Sequence, residues 1–309
     1  MASSVKPHKW NIGGYEIGGL LGESPTWLVP TIFYHGDKLL LSNKGDFDKK
    51  ELRLMLEEAV SMVSEYDLVL GIDVVLPSID AVEDILSFIG DFKIPIFIDS
   101  PDPVIRIKGY VVASQLGLRD LSIANGIYVD SPFEEISAIR ENKLNKAVLV
   151  AFDPKNPYES IKPENRIRIL TEKLLPMAMQ ADVSIFFVDA VVIDPGSVVL
   201  CAEMIHEIKA HYGFIAGCAP ANALGNISKK TVTLDEMYGI HGGTAAYLRL
   251  KGADYIMIGP LSRVKYVAPV VAMIDGYIGY ELRRKGANTS PRHPLRKLMR
   301  KVQKLFTQP

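Results

Sequence analysis

Residues 94–99 of the chain read IPIFID, an apolar run that ends in the carboxylate of Asp99. Two more runs have the same form: LSIAN ends in Asn125, and SIFFVD ends in Asp189. Runs of this length and composition predict buried β-strands. Because the carboxyl ends of parallel strands in an α/β fold face the ligand, we expect Asp99, Asn125 and Asp189 to converge on one mouth. Carboxylates and an amide without His or Cys suit an uncharged heterocycle with amide-like edges, and suit a metal ion poorly.

Apolar β-branched runs alternate with amphipathic runs at helical spacing in eight rounds of about 30 residues, which predicts an α/β fold of the closed (β/α)8 TIM-barrel type. The predicted strands are Trp27–Tyr34, Leu68–Val75, Ile94–Asp99, Leu121–Asn125, Ala147–Phe152, Val183–Asp189, Gly213–Cys218 and Tyr255–Gly259. The predicted helices are Lys49–Ser64, Ile79–Ile89, Pro103–Leu116, Glu134–Arg140, Arg166–Met179, Gly196–Tyr212, Leu234–Leu250 and Ser262–Arg284. Before the first round, Gly-Gly pairs divide the alternating stretch Trp10–Gly19, which predicts a β-hairpin that could close the bottom of the barrel.

The composition indicates a globular protein of the cytoplasm. The chain has 309 residues, of which 48% are hydrophobic and 23% charged, enough to bury one large core. Its two cysteines, Cys201 and Cys218, are too few for a disulfide framework or a structural zinc site. The six histidines show no metal-ligand spacing, so we expect no bound metal. No apolar run reaches the roughly 18 to 20 residues of a membrane helix, and the start lacks the apolar region of a signal peptide.

A basic tail follows the predicted barrel, which divides the chain into a barrel of residues 1–285 and a tail of residues 286–309. The whole chain carries a net charge of −1 and residues 282–309 carry nine cations and no acid, which leaves −10 on residues 1–281. The segment Gly286–Pro294 reads as a linker. Beyond it, apolar residues recur at helical spacing among cations, which predicts a basic amphipathic helix. That helix could pack on the barrel, dock on a partner, or contact an anionic membrane surface; nucleic acid is disfavoured because the tail lacks interleaved aromatic residues.

An ordered set of motifs resembles the H subunit of tetrahydromethanopterin S-methyltransferase. The motifs are IGGYEIGG (12–19), GESPT (22–26), TIFY (31–34), FIDS (97–100), VIRI (104–107), AFDP (151–154), GAD (252–254) and GP (259–260). The similarity covers residues 10–284. It implies a barrel that binds a methylated reduced pterin and transfers its methyl group to a cob(I)amide held by a corrinoid-binding partner or by other subunits of a methyltransferase complex. Related methyltransferases that use folate share the barrel and the pterin site.

The resemblance also implies roles for individual residues. Asp99, Asn125 and Asp189 match the positions that bind the pterin edge, where ring N–H and amino donors lie beside a carbonyl acceptor. Asn222, in GCAPAN, matches a position whose hydrogen bond to N5 would favour loss of the methyl group. Asp153 stands where the family pattern has Asn, which leaves its role open between a turn and support of the pterin site.

Each binding role has a structural alternative at this stage. Asp99 could cap the helix that starts near residue 103, and Asn125-Gly126 is a common turn pair. Asp189 is the stronger candidate, because Asp194 lies closer to the next helix and is the better cap. The second strand ends in VVL at residues 74–76, where the family pattern predicts a polar residue. That departure leaves the identity of the pterin open.

The sequence therefore predicts a methyltransferase subunit that moves a methyl group from N5-methyl-tetrahydromethanopterin, or a related methyl-tetrahydropterin, to a corrinoid on a partner protein. Two alternatives stay open: a methyltetrahydrofolate:corrinoid methyltransferase, and a non-catalytic pterin-barrel scaffold in a membrane complex. We expect a homodimer in the cytoplasm that lies on the inner face of the membrane if the tail docks there.

Overall fold

In the computed structural model, which describes residues 5–42, 44–225, 227 and 232–297, eight parallel strand positions close into a barrel. The strands are β1 (Lys9–Ile12), β2 (Tyr15–Gly18), β3 (Trp27–Ile32), β4 (Val69–Leu70), β5 (Ile72–Val75), β6 (Ile96–Asp99), β7 (Ser122–Ile127), β8 (Lys146–Val150), β9 (Ile185–Asp189), β10 (Ile215–Cys218) and β11 (Tyr255–Pro260). The second barrel strand consists of two pieces, β4 and β5, which meet at Gly71. Neighbouring barrel strands pair in parallel, and β11 pairs with β3 to close the barrel. The predicted fold class is confirmed.

Helices follow the barrel strands and form the outer layer. They are α1 (Lys49–Glu65), α2 (Val82–Gly90), α3 (Pro103–Gln115), α4 (Phe133–Glu141), α5 (Pro157–Ser160), α6 (Pro163–Ile169), α7 (Leu175–Gln180), α8 (Val198–His211), α9 (Pro220–Leu224), α10 (Leu234–Leu250) and α11 (Val264–Arg284). Asp48 and Asp102 cap α1 and α3 by accepting backbone N–H groups of the first turn, and Thr233 with Glu236 forms a capping box on α10. The helix predicted over residues 166–179 is α6 and α7 with a π-helical turn, Leu170–Leu174, between them. Pro176 explains the difference, because it has no N–H to donate back along the helix.

The alternation of side chains in the strands decides which residues point into the barrel. Phe97, Ile123 and Phe187 are fully buried in the apolar cluster that fills the barrel interior. Residues two positions further along a strand lie on the same face. Asp99, Asn125 and Asp189 therefore follow Phe97, Ile123 and Phe187 on the inner face, at the carboxyl end of the barrel.

The predicted hairpin is confirmed and covers the amino end of the barrel. β1 and β2 pair antiparallel, and Ile12 and Ile17 are buried in the interior cluster. The indole Nε1 of Trp27 donates to the backbone oxygen of Glu16 at 2.9 Å, which fastens the hairpin to the first barrel strand. The hairpin therefore covers the amino end of the barrel, which leaves the carboxyl end as the side from which a ligand would reach Asp99, Asn125 and Asp189.

The described part of the predicted tail packs on the barrel. Ser290 N–H donates to the backbone oxygen of Glu23 at 2.7 Å, His293 is fully buried, and Leu295 is 3% exposed. Lys297 Nζ lies 3.4 Å from the Asp67 carboxylate, just beyond α1. Residues 290–297 thus form a strap across the amino end of the barrel. Most of the predicted amphipathic helix, residues 298–309, lies outside the described residues.

We expect two truncations to separate the strap from the rest of the tail. Truncation after Lys285 should lower the free energy of unfolding by about 2 to 4 kcal/mol more than truncation after Lys297, because it exposes the surface that Leu295 covers and removes the Ser290 hydrogen bond. Urea denaturation of both proteins measures the difference. Equal stabilities would instead support the predicted division at residue 285.

Candidate functional site

Four polar side chains converge on the inner face at the carboxyl end of the barrel. Three of them are the predicted Asp99, Asn125 and Asp189, and the fourth is Asp73 on β5. Asn125 Nδ2 donates to Asp73 Oδ1 at 3.0 Å, and Thr31 Oγ1 donates to Asp73 Oδ2 at 2.9 Å. These two bonds hold the side chains of strands β3, β5 and β7 in one fixed arrangement.

Asp73 was not among the predicted site residues, although the sequence contains a signal for it. The polar residue of the second strand was expected at its end, in the VVL of residues 74–76. Asp73 lies within the strand, where an acid among apolar residues is costly to bury unless it has hydrogen-bonding partners. It is 5% exposed and has both partners described above. The second strand therefore does contribute a polar side chain to the mouth.

Burial raises the pKa of all three carboxyl groups, and a neighbouring carboxylate adds to the shift at Asp73 and Asp99. Burial raises the pKa of Asp73 to about 6, the hydrogen bonds from Thr31 and Asn125 oppose that shift, and the charge of Asp189 adds to it. Burial, and then the charge of Asp73, raise the pKa of Asp99 above its usual range. Burial also raises the pKa of Asp189 to about 6. The mouth therefore holds carboxyl groups that gain and lose protons much closer to neutral pH than ordinary aspartates do.

A buried ionic network stands behind Asp99. Arg106 on α3 donates from Nε and Nη2 to the two carboxylate oxygens of Glu135 on α4, and from Nη1 to the backbone oxygen of Ser100. The guanidinium also lies 5.1 Å from the ring centre of Tyr128, which follows β7 at the mouth. Burial, and then the charge of Asp99, raise the pKa of the Tyr128 hydroxyl.

The structure removes the capping and turn alternatives for the three predicted residues. The cap of α3 is Asp102, whose Oδ1 accepts from Val104 N–H at 2.9 Å, so Asp99 is free of that role. Asn125 lies within β7 and its side chain is 6% exposed. Asp194 accepts from Ser197 N–H at 2.8 Å before α8, which leaves the Asp189 carboxylate at the mouth.

The other two predicted site residues lie outside this cluster. Asp153, after β8, accepts from Lys155 N–H at 3.0 Å and from Asn156 Nδ2 at 3.2 Å, and the Lys155 bond is the main reason that its pKa is lowered. These contacts favour the turn role that the sequence left open. Asn222 lies on α9, after β10 at the same barrel end, with an exposed side chain that makes no hydrogen bond to another described residue. It can meet a ligand that protrudes from the mouth.

The arrangement can bind a flat heterocycle by its hydrogen-bonding edge. Asp99 and Asp189 are partly exposed at the mouth and offer acceptors, while Asn125 Oδ1 makes no hydrogen bond within the described residues. Nowhere in the described residues do three or more His, Cys, Asp or Glu side chains form a group that could hold a metal ion. Within the same part of the chain, no helix has the length and apolar character needed to cross a bilayer.

Comparisons with known proteins agree with this geometry. The sequence profile of a family described as tetrahydromethanopterin S-methyltransferase MtrH subunit matches residues 6–289. The H subunit of this methyltransferase from Methanothermobacter thermautotrophicus is 28% identical over 305 residues, with 94% of this chain and 96% of that protein covered. The same subunit from Methanosarcina mazei is 25% identical, with 95% and 98% covered. The resemblance drawn from the sequence is confirmed.

Solved structures support the fold alone. Yersinia pestis DHPS with a bound pterine–sulfa conjugate superimposes with a TM-score of 0.59 at 10% identity, covering 87% of this chain and 99% of that one. Dihydropteroate synthase from Thermus thermophilus gives a TM-score of 0.57 at 12% identity, with 86% and 97% covered.

We expect Asp73 to make stability depend on pH in a defined direction. Its pKa rises from 3.8 in the unfolded chain to about 6 in the fold, so the native state binds the extra proton between these values and loses stability as the pH rises through them. Asp73→Asn cannot lose that proton. The free energy of unfolding of the variant relative to the natural chain should therefore increase by about 2 kcal/mol from pH 4 to pH 6 and stay level above pH 7.

Urea denaturation of both proteins at each pH measures this difference. Asp153→Asn is the matched control, since the pKa of Asp153 is lowered and its difference should be constant from pH 5 to pH 7. A constant difference for Asp73→Asn across the same range would contradict the assignment.

Proposed function

The chain belongs to the family of the tetrahydromethanopterin S-methyltransferase MtrH subunit, and we propose that it moves a methyl group from N5-methyl-tetrahydromethanopterin, or a related methyl-tetrahydropterin, to the cob(I)amide of a corrinoid partner protein. The observation that carries the proposal is the cluster of Asp73, Asp99, Asn125 and Asp189 at the carboxyl end of a barrel whose amino end is covered by the hairpin. The proposed pterin-binding residues are Asp99, Asn125 and Asp189, and Asp73 joins them by holding Asn125 in place.

The chemistry of the cluster supports the pterin head as ligand. A pterin presents an amino group and a ring N–H on one edge, and an ionised carboxylate can accept both. Asp189 and Asp99 are the available carboxylates, and the bond from Asn125 Nδ2 to Asp73 turns the amide oxygen of Asn125 away from Asp73. That oxygen is then an acceptor for a further ligand donor, and the fixed arrangement lowers the entropy lost on binding.

The methyl transfer needs a change of charge at N5. A corrinoid held by the partner protein would supply the nucleophile that accepts the methyl group. At the pterin, the N5–methyl bond breaks, and N5 keeps the electron pair and takes up a proton. A tertiary amine leaves poorly unless N5 gains positive character as the bond breaks. Asn222 is the residue we propose for a hydrogen bond at N5, because its side chain is exposed beside the mouth and unpaired within the described residues. A hydrogen bond that strengthens as charge changes at N5 lowers the barrier more than it raises substrate affinity.

The barrel leaves the acceptor to another protein. The relatives reported above are named as subunits, and we propose that this chain likewise works with a corrinoid-binding subunit or protein. No corrinoid or metal is part of our assignment of this chain's own residues. The carboxylate cluster recognises only the pterin head, which tetrahydromethanopterin and tetrahydrofolate share, so methyltetrahydrofolate is the competing substrate. A protein that binds its complex but neither pterin would instead be a scaffold.

The surface of α11 supports a homodimer. Four exposed apolar side chains recur on one face at spacings of three and four residues: Val270 (36% exposed), Met273 (39%), Tyr277 (64%) and Tyr280 (53%). This spacing marks a stripe along one helix that is suited to pack against another helix. Because two copies of a stripe are self-complementary about a two-fold axis, we propose a second copy of the chain as its partner.

The basic C-terminal tail offers a means of attachment to a partner or a surface. We propose a cytoplasmic protein whose residues 298–309, with their cations and helical apolar spacing, attach it to a partner complex or to the inner face of a membrane. The truncation after Lys297 tests this, since salt-dependent co-sedimentation with the complex or with anionic vesicles should be lost.

The binding and catalytic assignments predict different effects for two variants. Asp189→Ala should weaken methyl-tetrahydropterin binding by at least tenfold, since a charge-assisted hydrogen bond of roughly 1.5 to 3 kcal/mol is lost. Asn222→Ala should lower the methyl-transfer rate to free cob(I)alamin far more than the affinity. Calorimetry with methyl-tetrahydromethanopterin and methyltetrahydrofolate side by side, together with the rate assay, measures both effects.

Tyr158→Ala, which removes an 86% exposed side chain at the same barrel end, is the control and should change neither quantity. Asp153→Ala decides between its turn role and a pterin-binding role. Affinity of Asp189→Ala within twofold of the natural chain would refute the binding site, and no binding of either substrate by the natural chain would refute the proposed function.

The dimer prediction has its own test. Replacing both Tyr277 and Tyr280 with Glu places charges in the stripe, and we expect light scattering after size exclusion to show a monomer. Tyr158→Glu is the control, since that side chain is 86% exposed at the barrel mouth and should leave the dimer intact. An unchanged mass for the double variant would place the interface elsewhere, and a monomeric natural chain would remove the dimer altogether.

A further inference from the structure

A second buried arginine, Arg166 on α6, stands behind Asp189. Its residue exposure is 0%, and its polar contacts differ from those of the other buried arginines. Nε donates to the backbone oxygen of Ser160 at 2.8 Å, and Nη1 donates to the backbone oxygens of Ala190 and Val191, the latter at 2.8 Å. Nη2 is buried and has no hydrogen-bond partner within the described residues. All its acceptors are therefore carbonyl oxygens, and no carboxylate of the described residues is bonded to it.

Arg106 and Arg249 show the usual solution for a buried arginine. Each is bonded to a buried carboxylate, Glu135 and Asp275 respectively. A buried cation without such a partner is costly unless another negative charge lies near. Asp189 is the carboxylate that interacts with the charge of Arg166: burial raises the pKa of Asp189, and the Arg166 charge opposes that shift.

The turn that follows Asp189 links the two side chains. Ala190 and Val191 accept from Arg166, and Val191 N–H donates to Asp189 Oδ1 at 2.7 Å. Val191 has a φ of +49°, a conformation that a β-branched residue rarely adopts. In this turn the N–H of Val191 points back at the carboxylate, and the guanidinium holds the turn by bonding both of its carbonyl oxygens.

We propose that Arg166 is a positioning residue, which acts through the Ala190–Val191 turn to orient the Asp189 carboxylate toward the mouth and to keep it ionised. This deepens the proposed function, since Asp189 is the residue assigned there to the donor edge of the ligand. Arg166 itself touches no ligand. One oxygen of Asp189 is occupied by Val191 N–H, which leaves the other for the ligand.

Several titratable groups face Asp189 besides Arg166. They are Asp73 on β5, Tyr128 after β7, Cys218 on β10 and Tyr255 on β11. Asp73 is an acid, and the other three are neutral near pH 7, since their pKa values are raised. Arg166 is therefore the cation identified as acting on Asp189 within the described residues. Its loss should move the titration of Asp189 to higher pH.

The test follows the titration of Asp189 and the ligand affinity in parallel. The proteins are the natural chain, Arg166→Gln, Arg166→Lys and Arg249→Met, and the Asp189 signal is assigned in carbon-13 carboxyl spectra by its loss in Asp189→Asn. Arg166→Gln keeps one donor for the turn but removes the charge, so the midpoint should rise by about one pH unit. Tetrahydropterin affinity should then fall roughly fivefold at pH 6 and approach the natural value above pH 8, because the free oxygen of Asp189 accepts strongly from the ligand only when the carboxylate is ionised.

The other variants separate charge from structure. Arg166→Lys keeps the charge but cannot bond both carbonyl oxygens, so its midpoint should stay within about 0.3 pH units of the natural one while affinity falls at every pH. Arg249→Met, at the amino end, should lower the melting temperature without moving the midpoint.

Two results would overturn the proposal. One is an unchanged Asp189 midpoint in Arg166→Gln, and the other is a raised midpoint in Arg166→Lys, which decides the question if the Gln variant does not fold. The titration needs no ligand, so it stands apart from the proposed function. If the natural chain binds no tetrahydropterin at any pH, the pterin assignment fails while the titration still decides the role of Arg166.

Discussion

The hydrogen bond from Asn125 to Asp73 is the interaction on which the site depends, because it joins two strands that supply the cluster and is made inside the barrel. Asp73 also accepts from Thr31, so neighbouring strands of the sheet share one carboxyl group. A carboxylate in this position would be costly without those donors. The donors in turn have fixed orientations, and the amide of Asn125 presents a defined edge to the mouth. The same two hydrogen bonds therefore compensate the burial of Asp73 and fix the orientation of the site side chains.

Two arginines adjust the remaining carboxylates in different ways. Arg106 is bonded to Glu135, so most of its charge is compensated and its effect on Asp99 is partial; the pKa of Asp99 stays raised. Arg166 has no bonded carboxylate within the described residues and acts on Asp189 across a turn. Two aspartates therefore lie at one mouth, and the rise in the pKa of each is opposed by an arginine on a helix of the outer layer. A ligand with both donors and acceptors on one edge is suited to such a pair, because one carboxyl group can accept while a protonated one donates.

Much of this could be read from the sequence, and the exceptions have specific physical causes. The strands were predictable because each is a short apolar run bounded by polar residues, and Asp99, Asn125 and Asp189 were predictable because each ends such a run. Asp73 was missed because it interrupts a run, and its partners come from strands about 40 and 50 residues away in the chain. The predicted linker, residues 286–294, contains Asn, Thr, Ser and Pro residues, yet its last five residues belong to the strap, in which His293 and Leu295 are buried against the barrel. Arg166 carries no local signal, since an arginine in an amphipathic helix is usually exposed and only the folded structure places it behind Asp189.

The amino end of the barrel carries contacts that stabilise the fold, and the carboxyl end carries the residues of the candidate site. At the amino end, Asp275 on α11 accepts from Thr26 N–H at 2.8 Å and from Arg249 on α10. Arg249 also donates to the backbone oxygen of Ser24, so these contacts join the start of β3 to α10 and α11. Hairpin and strap cover the same end. At the carboxyl end, the chain keeps carboxyl groups with raised pKa values and a valine in the left-handed conformation, features that cost stability. The same barrel strands run between the two ends, so the contacts at the amino end help to hold the strands whose carboxyl ends carry the site. Variants at the amino end should consequently change how often the barrel unfolds, and variants at the carboxyl end should change what the folded barrel binds.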